Sequence, residues 1–132
     1  MSKKLIYMAH PLAGDPDNIS KAKLWLAYLI QKLSDCVVIA PWITECELFD
    51  DADPEQRKAG IERCEFVVGY CDGIALVGGH LSDGMSDEMN TALIEQIPVY
   101  DLLWLGPDVP VHSGGIETVE IDKLHKSSWG MK

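Results

Sequence analysis

Basic residues are scarce: 11 Lys and Arg stand against 21 Asp and Glu, a formal net charge of -10. A nucleic-acid groove or an anionic membrane surface wants the opposite excess, so neither is expected as a partner. A small phosphorylated ligand remains compatible, because backbone N–H groups at a helix start can hold one. No apolar run approaches the length of a membrane span, and no secretory leader is recognisable. The four cysteines, Cys36, Cys46, Cys64 and Cys71, form no Cys-x-x-Cys pair. With His10, His80, His112 and His125 they lack the spacing of a zinc site. No metal and no organic cofactor is therefore expected, and the thiols read as reduced, in a cytoplasmic protein. Repeats and low-complexity segments are missing too. What is there, 132 residues of which 47% are hydrophobic and 24% charged, suits a single domain over 1–132.

Lys4 to Ala9 is a short apolar run and predicts a first strand, broken by the Pro-, Gly- and Asx-rich loop His10 to Asn18. Asp17 or Asn18 is the expected N-cap of a helix over 19–33, where Ala22, Trp25, Leu26, Leu29, Ile30 and Leu33 recur at steps of three and four. Cys36 to Ala40 predicts a second strand buried on both faces, ended by Pro41 and Trp42. The acidic stretch from Glu45 to Pro54 reads as an irregular solvated loop or as a mobile flap whose carboxylates bind sugar hydroxyls. Pro54 opens a further helix. Gly73 to Val77 is the third strand, Glu88 to Gln96 the next helix, and Pro98 to Leu102 a fourth strand. Ile116 to Ile121 suits a short edge strand or the start of a last helix. The order predicts a three-layer, flavodoxin-like or Rossmann-like α/β fold, its mostly parallel sheet of about five strands covered by helices on both faces.

In such a sheet a ligand lies beyond the carboxyl ends of the strands, where strand order reverses. The loop after strand one (His10 to Asn18) and the loop after strand three (Gly78 to Glu88) should therefore meet across one crevice. The second of these, Gly78-Gly79-His80-Leu81-Ser82-Asp83-Gly84-Met85-Ser86-Asp87-Glu88, carries the chemistry-bearing residues. Glu88 reads either as a reactive carboxylate at the pocket rim or as a capping-box residue in a helix's first turn. His10 and His80 read as ligand contacts or as turn and solvated residues. Asp72 reads as an Asx turn before its strand.

Tyr7-x-Ala9-x-Pro11-x-x-Gly14 with Asn18, then Cys71-Asp72-Gly73-Ile74-Ala75-Leu76, Gly79-His80-x-Ser82-x-Gly84-Met85-x-x-Glu88-x-x-x-Ala92 and Ile97-Pro98-Val99, resembles the nucleoside 2-deoxyribosyltransferase superfamily. Within it the pattern is most like a small DUF4406-like branch and the 2-deoxynucleoside 5-monophosphate N-hydrolases. The similarity runs over roughly residues 4 to 102. It implies cleavage or transfer of an N-glycosidic bond through a covalent glycosyl-glutamate on Glu88, with Asp72 as a second catalytic residue. Substrate contacts would come from His10, Pro11, Gly14, Asn18, Gly79, His80, Ser82, Gly84 and Met85, with Ser82 on a 5-phosphate. The implied ligand is a nucleoside or nucleotide, and the implied assembly a homo-oligomer. One position departs. The aspartate that the resemblance places about eight residues before Asp72 is Cys64 here, with Glu62 and Glu65 nearby. The competing readings are a nucleotide-binding or nucleotide-sensing module of the same fold and, less well matched, an electron-transfer flavodoxin. The latter wants a Ser/Thr-rich phosphate loop after strand one, which this chain lacks.

Overall fold

A computed structural model describes residues 3–12, 17–50, 52–110 and 118–124. Four strands, β1 (Lys4–Ala9), β2 (Cys36–Ile39), β3 (Gly73–Leu76) and β4 (Val99–Asp101), form one parallel sheet in the order β2-β1-β3-β4. The sheet thus has four strands, not five. The described part of segment 116–121, residues 118–121, supplies no fifth: Val119 makes a single parallel bridge to Leu33, and a short 3-10 turn follows at Ile121–Lys123. Ile116 and Glu117 lie outside the described residues.

Helices α1 (Asn18–Lys32), α2 (Pro41–Leu48), α3 (Pro54–Val68) and α4 (Asp83–Ile94) connect the strands. Between β1 and β2 the chain steps one way along the sheet, and from β2 through β3 to β4 it steps the other way. Right-handed crossovers then put α1 on one face and α3 and α4 on the other. The reversal falls between β1 and β3, so the crevice opens where the topology predicts. α1 presents Ala22, Trp25, Tyr28 and Leu29 to the core, while Ile30, read as part of the buried stripe, is exposed. β1 and β3 are buried on both faces along most of their length, as strands in the middle of a covered parallel sheet must be.

Two boundaries differ from expectation. The stretch after β2 is helical: Pro41 ends the strand but also starts α2, since a proline at the first helical position loses no hydrogen bond. Glu45 and Glu47 therefore stand on a helix. α4 begins at Asp83, five residues earlier than Glu88, because the Ser82 hydroxyl accepts from the Met85 N–H at 3.3 Å and caps it. Glu88 is thereby moved into the second turn, out of the position a capping-box residue occupies.

Candidate active site

The first and third loops meet closely. Gly78 has φ +101, and a Cβ built there would lie 2.5 Å from Pro11 Cδ and 2.8 Å from His10 Cδ2. Gly79 (φ +89) is pressed in the same way against the backbone of Gly106 and Pro107. Only glycine tolerates both the conformation and the contact.

Beyond this junction a cavity of about 450 Å3 opens, within the size range of small-molecule sites. Its α3 wall is set by helical spacing: Arg57, Gly60, Ile61 and Cys64 share one face, with Arg57 exposed and Cys64 buried. Trp42 and Phe49 bring aromatic surface from α2 and its end. β2 pairs β1 only as far as Tyr7, so the Met8 carbonyl lies past the end of β2, and the Trp42 indole N–H donates to it at 2.8 Å. The remaining wall is the start of α4, including Ser82, Gly84, Met85 and Glu88.

The cavity carboxylate tied to the sheet is Glu88. The Tyr7 hydroxyl, itself fully buried on β1, donates a hydrogen bond to Glu88 Oε2 and also contacts the Cys64 thiol. Burial drives the Glu88 pKa up to about 7, helped by Glu65 and Asp87 and opposed by the Tyr7 hydrogen bond. Burial likewise raises the Cys64 thiol to about 11 and keeps the Tyr7 phenol protonated throughout the ordinary pH range. A half-buried carboxylate that is partly ionised near neutrality, held in one orientation by a phenol, can act as a nucleophile or as a proton acceptor. The thiol beside it stays protonated and is a poor acid.

A family model described as a domain of unknown function (DUF7768) matches residues 4–102. The chain belongs to that family. No curated protein matches it. The DUF7768 match begins at β1 and ends just past β4, so it takes in every residue that lines the cavity.

Within this DUF7768 domain the expected site residues divide. His10, Ser82, Gly84, Met85 and Glu88 line the cavity. Pro11, Asn18, Gly79 and His80 do not. Pro11 is buried in the loop junction, the Asn18 amide donates to the Leu12 carbonyl at 3.0 Å, and His80 is exposed. Gly14 lies outside the described residues. Asp72 is a correction. It precedes β3, at the amino end of a parallel sheet whose cavity is at the carboxyl end. There it is exposed, and it accepts from the Leu5 N–H at 2.6 Å. Asp72 staples the start of β3 to β1 and does not line the cavity. Ser82 lines the cavity and its oxygen also caps α4, a role that leaves its O–H proton free to donate.

The sequence reading missed Tyr7 as the partner of Glu88, and Trp42 and Phe49 as walls. A tyrosine at an inward position of a central strand, one turn of chain before the loop, was the available signal for the first. Glu45, thought to bind sugar hydroxyls, is held by Arg63 in two hydrogen bonds of 2.9 and 2.5 Å. That pair ties α2 to α3. Among the described residues no three His, Cys, Asp or Glu side chains converge as a metal site, and no helix is long and apolar enough to cross a membrane.

Proposed function

We propose that this domain cleaves or transfers the N-glycosidic bond of a deoxyribonucleoside or its 5-monophosphate, with Glu88 as the nucleophile. The observation that carries this reading is the Glu88 carboxylate, oriented by Tyr7 at the inner end of a ligand-sized cavity. One Glu88 oxygen attacks the anomeric carbon as the C–N bond breaks, and the bonding electrons leave with the base. The base takes a proton from solvent or from a nearby acid. Water, or a second base, then attacks the glycosyl ester at the same carbon and releases Glu88. Tyr7 keeps the carboxylate aimed and stabilises its ionised form. No metal or organic cofactor enters this scheme.

Free cysteines at all four positions support the expected reduced, cytoplasmic setting. Exposed Phe66, Tyr70 and Ile94 on α3 and its end and on α4 support the expected homo-oligomer.

The test is base release from a panel of deoxynucleosides and monophosphates, followed by chromatography. Glu88→Ala is expected to abolish release, a loss of at least about a thousandfold, while leaving ligand-induced thermal stabilisation measurable. Unchanged turnover in that variant removes Glu88 as nucleophile. A second reading, a nucleotide-sensing module without turnover, is favoured by one observation. The group beside Glu88 is the Cys64 thiol, too weak an acid to protonate a leaving base well. It predicts thermal stabilisation by a nucleotide with no base released over hours.

A further inference from the structure

We infer that the cavity accepts its nucleoside without a phosphate, and that an acidic rim of Asp50, Asp83 and Asp87 rejects the 5-monophosphate. The inference rests on the glycosidic reading above and selects between its two substrate classes.

Three carboxylates on the cavity wall, Asp50, Asp83 and Asp87, have no ion pair among the described residues, and Glu88 lies deeper. Against them, among the described residues, stands one lining cation, Arg57, exposed near the start of α3. Arg63 is consumed by Glu45. A dianionic phosphate entering here meets a wall of its own sign, in a chain already at -10.

The usual remedy, an anion cradle at a helix start, is weakened from within. The Met85 N–H is spent on Ser82. The first helical residue of α4 is Asp83, so a negative charge already stands in the first turn, where the helix dipole would favour an anion.

Hydrogen-bond polarity points the same way. His10 lines the cavity, is 5% exposed, and places Nδ1 2.6 Å from the Pro11 carbonyl. A carbonyl only accepts, so Nδ1 carries the proton. Desolvation lowers the ring's pKa and keeps it neutral, which leaves Nε2 a lone-pair acceptor, and Nε2 is buried without a partner. Carboxylates and this imidazole nitrogen call for donors. Sugar hydroxyls and the amino group of a base supply them; a phosphate, which only accepts, does not.

The experiment measures affinity by calorimetry for the four 2-deoxynucleosides and their 5-monophosphates. It uses Glu88→Gln, which holds ligands without turnover, and the same protein carrying Asp50→Asn, Asp83→Asn and Asp87→Asn, all three sites at the surface. The expected result is at least one nucleoside bound ten times more tightly than its monophosphate, with the ratio falling at least fivefold in the neutralised rim. Equal or tighter monophosphate binding overturns the inference, and so does a ratio the rim variant leaves unchanged. Base release by the unsubstituted protein is scored separately. Monophosphate turnover preferred over nucleoside turnover sinks the inference and keeps the glycosidic reading. Nucleoside binding with no base released keeps the inference and sinks that reading. Binding of neither ligand class removes both.

Discussion

At Glu88 two influences oppose each other, a burial that favours the protonated acid and a phenol that favours the anion. The balance lies near pH 7, above the ordinary carboxyl value of 4.5. The folded protein therefore holds a proton there that the unfolded chain gives up, and stability is lost as pH rises from the unfolded value through the folded one. Relative to Glu88→Gln, the wild type should lose up to about 3 kcal/mol between about pH 4.5 and 7, measured by urea unfolding across that range. On the proposed mechanism base release should rise with pH through about 7, because only the ionised carboxylate would attack. Tyr7→Phe removes the one contact that favours ionisation, so it should move that profile to higher pH; an unmoved profile would show that Tyr7 does not tune the carboxylate. Glu88 was legible in the sequence from its loop-to-helix setting. Its partner was not, since nothing local links residue 7 to residue 88. Asp72 was misread for a topological reason: a residue just before a parallel strand sits at the end opposite the ligand crevice.

At the level of elements, the helix starts decide the shape of the cavity. Ser82 caps α4, so Ser82→Ala should lower stability by about 1 kcal/mol and Ser82→Gly by only a few tenths, in chemical denaturation. If Ser82 served a phosphate and not the helix, the two variants would be equally stable. Gly78→Ala is the harsher change. It forces a side chain into φ +101 and against Pro11, and should cost about 1–3 kcal/mol and separate the two loops. Recovery of ligand binding without loss of stability in that variant would contradict the junction. The crevice itself was readable, because the strand-loop-helix order fixes where connections reverse. α2 was not. It follows a strand-ending proline, and its short sequence mixes buried Trp42 and Ile43 with acidic residues, so no clean helical stripe marks it.

Across the whole molecule, the span matched by the family is smaller than the unit that packs. Past residue 102, the Pro107 carbonyl accepts from the Trp25 indole N–H at 3.0 Å, and Ile121 is fully buried. The Val119 N–H donates to the Lys32 carbonyl, and the Ile121 N–H donates to the Asp35 carboxylate. A fragment of residues 4–102 should therefore be at least about 2 kcal/mol less stable than the full chain, read from urea midpoints and Trp fluorescence. A fragment as stable as the whole would show these contacts to be idle. The Tyr7–Glu88 bond has its own consequence at this scale. It joins points 81 residues apart, a central strand and a helix. Closure of so long a loop comes late in folding, when the non-local contacts are made. The Tyr7–Glu88 pair should thus be unformed in a partly folded chain, and its appearance, followed in time after dilution from denaturant, would report completion of the native state.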